Sequence, residues 1–117
     1  MRSVLQDVLD RIPEALGAAV VGLDGIAVEK VAAQPTFNID LASAQAIGLV
    51  KRAGSTLRDP AADHLEEVSV ASRSGLTILR SIGGDYYLCV VLAPGCIPGR
   101  ARYEVWKASV QLERAVA

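Results

Sequence analysis

Val4, Leu5, Val8, Leu9 and Ile12 recur three and four residues apart, which predicts a short amphipathic helix from Ser3 that Pro13 brings to an end. At Gly17 the pattern changes to a continuous apolar run, Gly17-Ala-Ala-Val-Val-Gly-Leu23, then Asp24-Gly25, then a second run from Ile26 to Val31. Two Val- and Ile-rich runs joined by residues that tolerate positive φ predict a tight hairpin. Ala33 to Phe37 reads as a loop and Asn38 as a helix N-cap, with Asp40 near the positive end of the dipole. A second, longer helix is predicted from Ile39 to Leu57, closed by Asp59-Pro60. Three strands follow: His64 to Ser72, Leu76 to Ile82 after Ser74-Gly75, and Tyr86 to Leu92 after Gly83-Gly84-Asp85. Their short connections make them antiparallel neighbours. Pro98 suits a first helical turn, and Gly99 to Val116 sets Ala101, Val105, Ala108, Leu112 and Ala115 on one face. The order is α-β-β-α-β-β-β-α, an α+β fold. Pairs such as Val20-Val21, Ile78-Leu79 and Val90-Val91 are apolar on both strand faces, so helices should cover both sides of the sheet.

On a helical wheel the second helix carries two stripes. Ile39, Ala42, Ala46, Val50, Ala53 and Leu57 form a sheet-facing stripe, which is all that a surface helix requires. Leu41, Ala44, Ile47 and Gly48 form a second apolar set roughly opposite, beside Lys51 and Ser55, and Gln45, Arg52 and Thr56 make the polar strip. A glycine inside a helix costs about 1 kcal/mol relative to alanine, so Gly48 is easiest to explain if something packs against it. Small residues at Ala44 and Gly48 admit a close neighbour, and the stripe predicts a dimer through this face.

Composition adds to that picture. At 117 residues the chain is one domain, 1–117. It is 51% hydrophobic against 21% charged, more apolar than one buried core needs, which again points to a partner chain. With a formal charge of -1 and interspersed signs, no concentrated positive field exists for nucleic acid. The longest apolar stretch, Ala15 to Leu23, is far short of a membrane span and follows Asp10 and Glu14 where a signal peptide would be positive. A cytoplasmic protein without membrane insertion is expected.

Candidate chemistry is sparse. Cys89 and Cys96 are too few for a disulfide framework, and with His64 as the one histidine they are too few for a metal site, so no cofactor is expected. Cys89 reads as a small buried hydrophobe and Cys96 as a more accessible loop thiol without a basic neighbour. Glu66 and Glu67 are adjacent in a predicted strand and so point to opposite faces, not at one substrate. Asp24, Asp59 and Asp85 belong to turns, and Gly83-Gly84 lacks the Lys-Ser/Thr of a phosphate loop. His64 has no serine or cysteine nucleophile in a recognisable elbow. Tyr103, Trp106 and Val110 make a second stripe on the last helix and are expected to pack against the first helix. Arg100 and Arg102 are expected at a solvated helix end, with arginine fingers toward a partner's nucleotide the lesser reading.

Several strings occur in a telling order: Gly17-Ala-Ala-Val-Val-Gly-Leu-Asp-Gly-Ile26, the Ala-rich helix after Asn38, His64-Leu-Glu-Glu-Val-Ser-Val70, Ser74-Gly75-Leu76, and Gly84-Asp-Tyr-Tyr-Leu-Cys-Val-Val-Leu92 before a terminal helix. In these the chain resembles the Roadblock/dynein light chain family over nearly its whole length, and in particular its bacterial or archaeal, gliding-motility-regulator-like members. The resemblance implies a five-stranded antiparallel sheet with the second helix on one face and the two terminal helices on the other. It also implies a homodimer in which the second helices lie side by side and the third strands pair, bringing Glu67, Ser69 and Ala71 together with Leu41, Ala44, Ile47, Gly48, Lys51 and Ser55 at the interface. Members of the family are non-enzymatic platforms for small Ras-like GTPases or larger complexes, and the resemblance implies binding of such a GTPase or complex. Asp40, Lys51, Arg52 and Ser55 are the corresponding candidate contacts to such a partner. Two other readings stay open: a small-ligand sensor, which needs a cavity with converging polar groups, and a thiol enzyme using Cys96.

Overall fold

The computed structural model of the protein describes residues 1–116. Its elements follow the predicted order: α1 (Arg2–Arg11), β1 (Ala15–Gly22), β2 (Ala27–Ala32), α2 (Ile39–Gly54), β3 (Glu67–Ser72), β4 (Gly75–Ser81), β5 (Tyr86–Leu92) and α3 (Pro98–Val116). Asn38 caps α2, its side-chain oxygen accepting from Leu41 N at 3.0 Å. The helix stops at Gly54, three residues before the predicted Leu57. There the hydroxyls of Ser55 and Thr56 donate to the carbonyls of Arg52 and Ala53, each at 2.6 Å, occupying acceptors that further helix would use. β3 begins at Glu67 rather than His64. The Tyr87 hydroxyl donates to the Leu65 carbonyl at 2.8 Å and Asp63 Oδ1 accepts from His64 N at 2.8 Å, which ties residues 63–65 to the sheet's end outside the ladder.

All five strands form one antiparallel sheet in the order β2-β1-β5-β4-β3. The first hairpin turns at Gly25, whose φ of 83° lies in the left-handed region that glycine tolerates. Gly75 is still more constrained: at φ 142° a Cβ there would meet the Leu92 carbonyl oxygen at 2.2 Å.

Two layers cover the sheet. α1 and α3 lie on one face, where Leu5, Val8, Ile12, Val105 and Leu112 interlock with Val20, Ile78, Leu88 and Val90 in the larger core. α2 lies on the other face over Val21, Leu79, Tyr87 and Cys89. Burial pushes the Cys89 thiol up to about 12, in keeping with a small inert hydrophobe. No helix among the described residues is long and apolar enough to cross a membrane.

Three sequence expectations about helix faces are corrected here. Ile47 belongs to the core, 3% exposed, and Ser43 is fully buried, so the sheet-facing side of α2 runs through Ile39, Ser43, Ala46, Ile47 and Val50. Ala42 and Ala53 are only half-buried at its margin, and Leu57 lies beyond the helix. Tyr103 and Trp106 do not pack on α1: they are 58% and 47% exposed on the outside of α3. Ala115 is likewise exposed, one turn past the last buried position, Leu112.

Candidate functional site

With Ile47 turned inward, the outward side of α2 consists of Leu41, Ala44, Gln45, Gly48, Arg52 and Ser55. Leu41 is 54% exposed, and a Cβ at Gly48 would meet only Arg52 Nη2, at 3.6 Å. The apolar, small-residue stripe is therefore real but narrower than the helical wheel indicates. On the same face of the sheet, at the edge opposite the hairpin that Ala44 approaches, β3 is an edge strand whose Val68 packs beneath α2. Strand alternation sets Val70, 42% exposed, on that same side. Val70 extends the surface, and the Val68/Val70 alternation was its signal in the sequence.

Glu67, Ser69 and Ala71 alternate to the α3 side. Glu67 pairs with Arg80 at 3.3 Å and lies 3.9 Å from Arg102, Ser69 Oγ accepts from Arg102 Nη2 at 2.9 Å, and Ala71 is exposed. Glu67 and Ser69 are thus engaged within the chain, and what β3 offers outward is its main chain. Arg102 is held at this edge, while Arg100 donates to the Arg11 carbonyl at the C-terminal end of α1, at 3.4 Å.

Asp40, Lys51, Arg52 and Ser55 do not converge. Asp40 sits at the first turn of α2 in an ion pair with Lys30, whereas the other three lie at the far end, about 20 Å away along the axis. The Ser55 hydroxyl is already used on the Arg52 carbonyl. These residues mark the two ends of the α2 surface rather than one contact point.

A cleft of about 1160 Å³ opens at the end of the sheet, between the C-terminal end of α2, residues 57–66 and the β4-β5 turn. His64, Lys51 and Arg80 line it together with Asp63, Glu66 and Asp85, so both signs of charge are mixed along the wall. Two side-chain contacts tie its wall together: His64 Nε2 lies 2.9 Å from Ser81 Oγ, and the Tyr87 hydroxyl donates to the Leu65 carbonyl. Desolvation raises the Tyr87 hydroxyl above its ordinary value. Among the described residues no group of three or more His, Cys, Asp or Glu is arranged to hold a metal. Cys96 is half-buried at the foot of α3, in a depression shared with Arg102 and Pro98.

These features define a class: a single-sheet α+β sandwich whose smaller layer is one helix with an exposed Leu41, and whose sheet ends in the edge strand β3. No family model matches the chain, and no curated protein does. Solved structures do. A Roadblock/LC7 domain from Streptomyces avermitilis superposes with a TM-score of 0.86 at 19% identity, over 99% of this chain and 97% of that one. MglC from Myxococcus xanthus is 27% identical, with a TM-score of 0.72 over 97% of each chain. The gliding protein MglB from Thermus thermophilus gives 0.84 at 16% identity, covering 96% of this chain and 84% of its own. The fold of this protein is that of Roadblock/LC7 domains and of the MglB and MglC gliding regulators, the family whose pattern its sequence resembles.

Proposed function

We propose that the protein is a non-enzymatic, homodimeric adaptor that binds a small Ras-like GTPase, or a larger signalling complex, through paired α2 helices. One observation carries this reading: Leu41, 54% exposed, lies on the α2 layer, the sheet face toward which the edge strand β3 also turns Val68 and the exposed Val70. A two-fold axis there buries both at once, apposing the helices where glycine and alanine allow close approach and pairing β3 with its own mate. Lys51 and Ser55 then lie at the ends of the helix pair, and residues 67–72 form the strand seam. The shared fold with MglB and MglC supports a regulatory role, and the family resemblance carried by the order and spacing of the matching strings supports a GTPase as the partner.

Sedimentation of the 12.3 kDa chain should give twice that mass, and Leu41→Glu should give a monomer of unchanged helix content. Immobilised wild-type protein, exposed to native lysate loaded with GDP or a non-hydrolysable GTP analogue, should enrich a Ras-like GTPase in one nucleotide state, and Leu41→Glu should not. A wild-type chain that stays monomeric at every concentration removes the dimer. Recovery of other complexes without any GTPase keeps the adaptor and removes that partner.

A further inference from the structure

The outer face of α3 has no role in the reading above, and its composition is distinctive. Tyr103, Trp106 and Val110 follow one another at intervals of three and four along the helix, with the two aromatic rings 6.2 Å apart. Both rings are half-exposed although the same helix buries its opposite side completely at Val105 and Leu112. Tyr and Trp in such a position supply large contact area at low entropic cost, which is why they dominate protein interaction surfaces.

Charge indicates the occupant. Along this face run Arg102, Lys107 and Arg114, with Lys107 Nζ 5.4 Å from the centre of the Tyr103 ring. The helix has two carboxylates; Glu104 is turned inward, 6% exposed and paired with Lys107 at 2.8 Å, leaving Glu113 as the single exposed one. Arg102 is held by the Ser69 hydroxyl and lies 3.9 Å from Glu67, and Lys107 is paired with Glu104, so two of the three rim cations already carry an intramolecular carboxylate and Arg114 is the cation on which the preference for an acidic partner chiefly rests. A second copy meeting this face about a two-fold axis would set cation against cation. Three apolar side chains on two turns, flanked by Glu113 and Gln111, are also too little to enter a bilayer.

We propose that the outer face of α3 docks an acidic amphipathic helix of a partner protein, its aliphatic residues lying along Tyr103, Trp106 and Val110 and its carboxylates meeting the basic rim. Because α3 and α2 are on opposite layers, such a partner leaves the α2 surface free, and the molecule joins two partners.

Trp106 is the sole tryptophan, so its emission reports directly on this face. The test titrates the full chain with a helical peptide bearing leucines at positions i, i+3 and i+7 flanked by glutamates, and with a second peptide carrying lysines instead. The glutamate peptide should shift Trp106 emission to the blue and bind at least ten-fold more tightly than the lysine peptide. That preference should shrink with salt, and Arg114→Glu should reverse it while the sedimentation of the protein stays unchanged. Tyr103→Ala, a second fully surface variant, should weaken both peptides alike. Equal binding of the two peptides, or of neither, overturns the proposal. So does a shift produced by phosphatidylserine vesicles but not by the glutamate peptide, or by raising the protein concentration alone.

Discussion

The two edges of the sheet are built differently. At the β2 edge the chain alternates charge: Arg2 reaches from α1 to donate to the Lys30 carbonyl at 3.1 Å and to Glu29 at 3.2 Å, and Lys30 in turn pairs with Asp40. One main-chain acceptor is covered and the rim is charged, which is how edge strands avoid adding a neighbour. At the β3 edge Glu67 supplies charge, paired with Arg80 and 3.9 Å from Arg102, but the main chain is left uncovered. Among the described residues no side chain donates to a carbonyl of residues 67–72, and the strand ends on Val70, Ala71 and Ser72, all exposed and uncharged. Arg102 donates to the Ser69 hydroxyl and leaves the backbone open. The two edges thus differ in whether a side chain covers the backbone, and the pairing proposed for β3 rests on that difference.

The same contrast divides α2. Ile47 and Leu41 sit less than two turns apart, yet Ile47 is 3% exposed and Leu41 is 54% exposed. The largest effect is expected on the buried side: Ile47→Ala should cost about 2–5 kcal/mol in urea unfolding, whereas Leu41→Ala, measured in dilute monomer, should stay within about 0.5 kcal/mol. Equal losses would mean that the two sides of the helix are not distinct. Next come the edges. Val70→Lys on β3 should weaken self-association at least ten-fold by sedimentation, and Val28→Lys, at an exposed position of β2, should leave it unchanged; the reverse result would move the interface to β2.

A smaller and more pointed effect is expected at Gly48. Since its side is open within one chain, Gly48→Ala should raise the stability of the monomer by up to about 1 kcal/mol through helix propensity. If another helix packs there, the added methyl should simultaneously weaken the dimer, and a variant that gains stability with association intact would separate Gly48 from the interface. Smallest is Arg2→Ala. Losing an exposed ion pair should change stability by less than about 1 kcal/mol, but uncovering the β2 edge should raise light scattering in concentrated solution. Unaltered scattering would show that Arg2 is not the guard of that edge.

Most of the fold is legible in the sequence because it rests on local chemistry. The hairpin follows from Asp24-Gly25, the stop of α1 from Pro13, and the last strand from the apolar run that follows Gly83-Gly84-Asp85. The ends that slipped, Leu57 and His64, were decided by side chains bonding to backbone: the hydroxyls of Ser55 and Thr56 in one case and Tyr87, distant in sequence, in the other. Of the candidate surface, Leu41, Ala44 and Gly48 were readable from periodicity, and Val70 was available in the strand alternation.

What the sequence determined by itself is therefore the order of elements and the presence of more apolar surface than one core consumes. It could not determine where that surplus lies. A helical wheel gives the angles between side chains but not the direction of the core, which depends on how the helix crosses the sheet. Here α2 lies beside the first hairpin, whose Gly25 approaches Ala44 and Ile47, and that contact draws Ile47 inward with Val21. In the other layer α1 is short and packs on the inner side of α3, so Tyr103 and Trp106 find no neighbour to cover them. Only the tertiary arrangement separates a side chain that completes the core from one left for a partner, because burial belongs to pairs of elements and not to either one alone.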